Sequence, residues 1–300
     1  MHPNIEGYNE RVKRGEIFFV IVDGLDGSGK GELTRCLSEY YQLNNMNVVS
    51  IDYPKYTSYW GRVLRYLLDV DDLGLDIATR MAVYALNRLE SLDKIMLEVG
   101  KLEGEVILIF DRFATSNILT MSYYYANGVL KDIDNEGEIL EYLKSHLSEI
   151  EDYIKLIFEI DSDFIQFLSV NGISVCIPRI SPEVSLQRIK NDKTRKGSDL
   201  YEKPKIQVIA DFLYQIASQN NLGNLKILEQ DNRDPQSIAK DIVDLYGYRR
   251  GEVGNPKLVQ INLDKDNRFS DDIQNAMNNL LAKYPLLTKA FEFVEKDTEP

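Results

Sequence analysis

Gly24-Leu25-Asp26-Gly27-Ser28-Gly29-Lys30-Gly31 is the segment of this 300-residue chain whose residue types and spacing point most directly to chemistry. Its glycines let a turn curl with backbone N–H groups facing inward, and a helix starting at Lys30 adds the partial positive charge of its N-terminus. Together these cradle a polyphosphate. Lys30 is placed to reach the outer phosphates. The apolar run Ile17 to Val22 leads into the loop, and Leu33, Leu37 and Tyr40 mark one apolar face of the segment after it. A ligandless glycine-rich turn would not need the lysine and both flanking elements at once. One position departs from the usual G-x-x-x-x-G-K-[ST] form: Gly31 follows the lysine, so no hydroxyl is available there for Mg²⁺. The metal would then be held through water and by another carboxylate. Asp111 is the candidate, because it ends the apolar run Val106 to Phe110, and an open α/β sheet gathers its ligand-binding residues at the carboxyl ends of its strands.

Three further groups could handle a second substrate. Arg112 follows Asp111 and offers a guanidinium fork for bidentate contact with phosphate. Tyr84 and Arg88 lie four residues apart on a helix expected over Ile77 to Val99, beside a core stripe of Met81, Ala85, Leu89, Leu92, Met96 and Val99. A ring and a guanidinium in that register can stack on a planar base and bond its edge, although Tyr84 by itself would as readily be a core residue. Tyr53-Pro54-Lys55-Tyr56-Thr57-Ser58 follows the second expected strand; Lys55 and the hydroxyls could bind phosphate, and a plain solvated loop is the competing reading. Arg188, Lys190, Lys193, Arg195 and Lys196 make the densest basic cluster in an acidic chain, where helical periodicity fails, as expected of a lid over ATP near 190–203.

Those groups need a scaffold, and the first half of the chain supplies one by alternating short apolar runs with helical periodicity. Strands are expected at Ile17 to Val22, Val48 to Asp52, Val106 to Phe110, Ile173 to Ile177 and Lys226 to Leu228. Helices are expected at Lys30 to Leu43, Pro204 to Ser218 and Pro235 to Tyr246. The first and third strands are apolar without alternation, as in a parallel sheet covered on both faces. The expected fold is therefore α/β: a three-layer α/β/α P-loop NTPase fold with a central parallel sheet. Residues 1–250 read as one P-loop domain with an acidic helical insertion near 130–168, and 251–300 as a C-terminal extension of unknown role. In that extension a strand is expected at Lys257 to Leu263, then a helix capped by Ser270 with Ile273, Met277, Leu280, Leu281 and Tyr284 on one face.

The formal net charge of −13 opposes nucleic acid and anionic membranes, so the anionic partners expected are small-molecule nucleotides held by local basic groups. With Cys36, Cys176, His2 and His146 as the whole cysteine and histidine inventory, neither a disulfide framework nor a zinc site is expected. No apolar run approaches membrane-spanning length and the N-terminus is polar, which makes cytoplasmic residence the expectation.

Taken in order from Ile17 to Tyr246, these residues resemble the thymidylate kinase family of P-loop nucleoside monophosphate kinases. The resemblance rests on Asp23 to Lys30, on Asp111-Arg112-Phe113-Ala114-Thr115-Ser116, on Tyr84 to Arg88, and on the helix Pro182-Glu183 to Arg188. It implies that ATP is the donor, with Gly24, Asp26, Gly27, Ser28, Gly29, Lys30, Gly31 and Arg188 around it and Mg²⁺ as its counterion. It implies dTMP as the acceptor: Asp26 on the 3′-hydroxyl, Arg112 and Lys55 on the phosphate, Ser116 nearby, Tyr84 stacked on thymine, and Arg88 with Asn117 on its edge. Lys30, Arg112 and a lid residue, Arg195 with Lys193 or Lys196 sharing, would supply catalytic positive charge, and a homodimer is possible. Thr120 and Met121 stand where the family has Tyr-Gln, and Gly31 where it has a hydroxyl, although adenylate kinases also place glycine there. Two other readings stay open: a kinase for another (deoxy)nucleoside monophosphate, and a catalytically inactive nucleotide-binding module.

Overall fold

In the computed structural model the unalternating runs divide their side chains between two cores, which is why both faces of them are apolar. Val20, Val22, Ile107 and Ile109 face one core, and Ile17, Ile21, Val106, Leu108 and Phe110 face the other, as the period of two requires. The structure describes residues 3–69, 75–168, 174–192, 200–230, 233–247, 250–263 and 269–287.

Six strands, β1 (Ile17–Val22), β2 (Asn47–Asp52), β3 (Val106–Asp111), β4 (Val175–Arg179), β5 (Leu225–Glu229) and β6 (Leu258–Gln260), form one parallel sheet in the order β5-β4-β1-β3-β2-β6. The helices are α1 (Pro3–Lys13), α2 (Lys30–Leu43), α3 (Tyr59–Asp69), α4 (Ile77–Leu89), α5 (Leu92–Gly100) and α6 (Asn117–Tyr124). They continue with α7 (Glu136–Ser145), α8 (Leu147–Ile160), α9 (Ser162–Phe167), α10 (Pro182–Asn191), α11 (Pro204–Gln219), α12 (Pro235–Tyr246) and α13 (Asp271–Lys283). Helices α2 and α12 cover one face of the sheet; α4, α5, α6, α8, α11 and α13 build the larger core on the other. No helix among the described residues is long and apolar enough to cross a membrane.

Several expected elements differ in detail. The helix drawn from Ile77 to Val99 is two helices, because the chain turns at Glu90 and Ser91, whose side chains leave the helix surface: the Glu90 carboxylate is drawn to Ser58 and Trp60, and Ser91 Oγ donates back to the Arg88 carbonyl at 2.6 Å. Ser270 occupies the N-cap position of α13 but makes no cap bond; its hydroxyl donates to Asp93 at 2.8 Å instead. The strand expected from Ile173 begins at Val175 and runs to Arg179, Ile173 itself lying outside the described residues, and the strand expected over Lys257 to Leu263 is confined to Leu258–Gln260. Residues 250–263 and 269–287 join the main fold: β6 pairs with β2, and Ile261, Leu263, Ile273, Met277 and Leu280 are buried in the larger core. The 130–168 stretch is helical as expected, and Ile150, Ile154, Ile157 and Ile160 form a stripe of α8 in the same core.

Candidate active site

Two cavities open at the carboxyl ends of the strands, and Asp26, Tyr53 and Arg112 line both of them. The first is bordered by the loop after β1 with Lys30, Gly31, Asp111 and Arg188. The second is bordered by Pro54, Tyr56, Tyr84, Arg88, Ser116, Leu119 and Tyr201.

The loop between β1 and α2 holds its shape through glycines at positive φ. Gly27 (φ 76°) is the most constrained: a Cβ there would lie 2.6 Å from the Ser185 carbonyl oxygen of α10, so the loop and that helix touch backbone to backbone. Lys30 is buried, and its ammonium donates to the carbonyls of Leu25 (2.6 Å) and Gly24 (3.1 Å) and stands 4.0 Å from the Asp26 carboxylate. Burial pulls its pKa down to about 8, aided by nearby Arg112 and opposed by Asp26, Asp111 and Asp23. Ser28 Oγ is buried and has no hydrogen-bond partner among the described residues. Arg188, exposed on α10, reaches over Gly29, with Nη1 3.4 Å from Gln230 Oε1.

Arg112 sits at the junction of the two cavities. It has φ 73°, a conformation unfavourable for a side-chain-bearing residue and concentrated at functional sites. What holds it is Asp23, fully buried, whose carboxylate accepts from the backbone N–H of Gly24 (2.8 Å) and Phe113 (3.2 Å) and from the hydroxyls of Thr115 (2.5 Å) and Ser116 (2.7 Å). The segment leaving β3 is thereby pinned to the segment leaving β1. Arg112 Nη2 pairs with Asp26. Burial opposes the charge of Arg112, yet Asp26, Asp23 and Asp111 outweigh it and raise the pKa above the ordinary guanidinium value. Asp111, at the end of β3, has its pKa raised by burial, with Lys30 and Arg112 pulling the other way.

Lys55 is buried and its ammonium pairs with Asp52 at the end of β2. Its backbone is clamped by Asn87, which accepts from Lys55 N (2.9 Å) and donates to Ser58 Oγ (2.9 Å) and Glu90 (2.8 Å). Beneath this loop Glu90 also accepts from Trp60 N at 3.2 Å, and burial pushes its pKa up to about 7 despite those donors. Thr57 Oγ1 donates to the Leu263 carbonyl at 2.6 Å, so residues beyond β6 brace the same loop.

On α4, Arg88 is 1% exposed, and its Nε and Nη2 both donate to Asp161 at 2.6 Å. Tyr84, one turn earlier, meets Tyr201 hydroxyl to hydroxyl at 3.1 Å. Asn117 begins α6 beside Ser116, and both polar atoms of its buried amide lack a hydrogen-bond partner among the described residues. The cavities thus gather Asp26, Tyr84, Arg88, Arg112 and Ser116 on one side and Gly27, Gly29, Lys30, Gly31, Asp111 and Arg188 on the other. Lys193, Arg195 and Lys196 lie outside the described residues. Among those residues no group of three or more His, Cys, Asp or Glu side chains is arranged to hold a metal. No local pattern in the sequence marks Asp52, Glu90, Asp161 or Tyr201 as a site residue. Only Asp23 carried a local signal, as the residue opening the loop.

Comparison with known proteins gives one consistent likeness. A family model described as thymidylate kinase matches residues 22–134. The chain is 26% identical over 182 residues to a thymidylate kinase from Clostridium novyi, which is 61% of this chain and 75% of that one. It is 28% identical to a probable thymidylate kinase from Pyrococcus abyssi over 37% of this chain and 54% of the relative. For a thymidylate kinase from Symbiobacterium thermophilum the figures are 30%, 34% and 46%, so the chain spans about half the length of these last two relatives. A solved structure of thymidylate kinase from Candida albicans matches with a TM-score of 0.48 at 16% identity, covering 77% of this chain and 90% of that one.

Proposed function

We propose that this chain, whose residues 22–134 match the thymidylate kinase family model, transfers the terminal phosphoryl group of ATP to dTMP, giving ADP and dTDP. The observation that carries this reading is the meeting of two cavities at Arg112 and Asp26: a phosphate loop on one side and a tyrosine-walled pocket with a buried arginine on the other. A protein that only bound nucleotide would need the first cavity alone.

On the donor side, the loop N–H groups, Lys30 and Ser28 Oγ hold the ATP phosphates, and Arg188 approaches from α10. Lys30 exchanges its two carbonyl contacts for phosphate oxygens, which favours its charged form. On the acceptor side, Arg112, Lys55 and Ser116 receive the dTMP phosphate and Asp26 the sugar hydroxyl, while Tyr84 stacks on the base. Arg88 keeps its remaining edge for the base, and Asn117, buried without a partner among the described residues, suits a base edge that both donates and accepts. The attacking phosphate oxygen is already ionised at neutral pH, so no general base is required, and catalysis reduces to alignment and charge neutralisation. Arg112 at the junction can touch both phosphate groups as charge moves between them.

Mg²⁺ fits the residues present. It is commonly held by one or two carboxylates plus substrate phosphates and water, and Asp111 and Asp52 both line the donor cavity, with Asp111 turned toward Gly31. When bound, it would neutralise phosphate charge. Small-molecule nucleotides rather than nucleic acid accord with the net charge of −13, and residence in the cytoplasm is part of the same reading. A homodimer is a further part of this reading. ADP release measured with a panel of monophosphates is the test. Turnover highest with dTMP supports the reading, and ATP binding without turnover on any monophosphate would establish an inactive nucleotide-binding module instead.

A further inference from the structure

One wall of the acceptor cavity comes from far along the chain. Tyr201, just before α11, is 7% exposed and lines a cavity otherwise built from the loops after β1, β2 and β3 and from α4 and α6. Its hydroxyl lies 3.1 Å from that of Tyr84 and 3.4 Å from Thr120 Oγ1, and its ring stands edge-on to Tyr123 with centroids 6.0 Å apart. A ring held at its tip and its edge cannot swing aside without losing hydrogen bonds and packing together.

The backbone of Tyr201 is fixed as well. Its carbonyl accepts from Gln207 Nε2 at 2.8 Å, and Gln207, fully buried on α11, turns its Oε1 to Ser185 Oγ at 3.1 Å. Ser185 Oγ also touches the Asp26 carbonyl in the phosphate loop, and its single proton serves one acceptor at a time. Two buried side chains, Ser185 and Gln207, thus connect the backbone of the loop that would hold ATP to the backbone of the residue that walls the acceptor cavity.

We propose that Tyr201 is a specificity-determining residue that restricts the acceptor to pyrimidine-sized nucleoside monophosphates, and that Gln207 is the positioning residue that keeps it there. This rests on the kinase reading above. The physical basis is size: a bicyclic base needs space that the Tyr201 ring occupies, and packing against Tyr123 together with the backbone bond from Gln207 keeps the ring in place even without its hydroxyl. Tyr201→Phe retains that volume and loses only the hydroxyl.

The test compares wild type with Tyr201→Ala, Tyr201→Leu, Tyr201→Phe and Gln207→Ala, using dTMP and dGMP as acceptors. Far-UV dichroism confirms folding, and Tyr201→Leu, which keeps an apolar contact with Tyr123, stands in should the alanine variant not fold. The dGMP/dTMP ratio of kcat/KM is expected to rise at least tenfold in Tyr201→Ala or Tyr201→Leu and to stay within about threefold of wild type in Tyr201→Phe. It should move in the same direction in Gln207→Ala, with KM for ATP held within about twofold; general loosening would not shift that ratio selectively. A ratio unchanged in a folded Tyr201→Ala or Tyr201→Leu variant overturns the proposal. If wild type turns over no monophosphate, the kinase reading fails separately, and calorimetric binding of dTMP and dGMP decides this one on the same ratio. Binding of neither nucleotide by wild type overturns both.

Discussion

Arg88 and Asp161 form a bidentate pair at 2.6 Å on both contacts, one residue at the wall of the acceptor cavity and the other at the end of α8. The pair joins the 130–168 helices to the site. Removing one partner strands a buried charge, so Asp161→Ala is expected to lower stability by about 3–5 kcal/mol in denaturant unfolding. Loss of the support also lets Arg88 drift, and KM for dTMP should rise several-fold in whatever fraction remains folded. Lower stability with an unchanged dTMP KM would make the pair a scaffold contact only.

Arg112→Ala removes the cation shared by the two cavities while leaving the phosphate loop in place. Turnover should fall by about 10²–10³-fold, the scale set by losing one preorganised charge contact in a transition state. ATP affinity measured by calorimetry should change by no more than about twofold. Near-normal turnover would remove Arg112 from the chemistry.

Burial lowers the Lys30 pKa to about 8, and in the proposed function its charged form is the one that would bind phosphate. As pH rises through that value the free protein loses the proton that the complex retains. ATP Kd should therefore be flat below about pH 7.5 and then weaken toward tenfold per pH unit above 8, until the pKa of the complex is reached. Lys30→Met should bind more weakly and show no such rise. A wild-type Kd that stays level to pH 9 contradicts the assignment.

Glu90 has a folded-state pKa of about 7 against an ordinary 4.5, raised chiefly by burial. The folded chain therefore holds this proton more tightly than the unfolded one. The stability tied to Glu90 is full below about pH 4.5, declines as pH rises, and is lost by about pH 7, a span of about 3 kcal/mol. Wild type minus Glu90→Gln should show this decline in unfolding free energy between pH 5 and 7. A difference independent of pH would mean that Glu90 is ionised throughout that range.

A Cβ added at Gly31 meets nothing nearer than Asp111 Oδ2 at 3.7 Å, an ordinary contact. Gly31→Ser should therefore fold at least as well, since a side chain in this helical turn gains about 0.5 kcal/mol over glycine. The new hydroxyl would stand beside the carboxylate suited to Mg²⁺. The Mg²⁺ concentration giving half-maximal rate is expected to fall. An unchanged Mg²⁺ dependence in a folded variant would place the metal away from this position.

The sequence by itself determined the glycine-rich loop and its flanking strand and helix, because that signal is local: glycines, Lys30 and the apolar periods are contiguous, and β1 and α2 have the expected bounds. The parallel sheet was legible for the same reason, since strands covered on both faces lose their alternation. Tertiary structure alone decided what surrounds that loop. Asp161 is 73 residues from Arg88, and Tyr201 is 117 from Tyr84. Nothing local distinguishes Asp161 among 48 acidic residues or Tyr201 among 18 tyrosines. The continuous helix expected through Glu90 failed for a related reason: hydrophobic periodicity persists across the turn, while the turn is set by a carboxylate drawn to Ser58 and Trp60. Contiguous patterns report which way a segment faces. The partner it finds there depends on chain closure over many residues, and only the folded core fixes it.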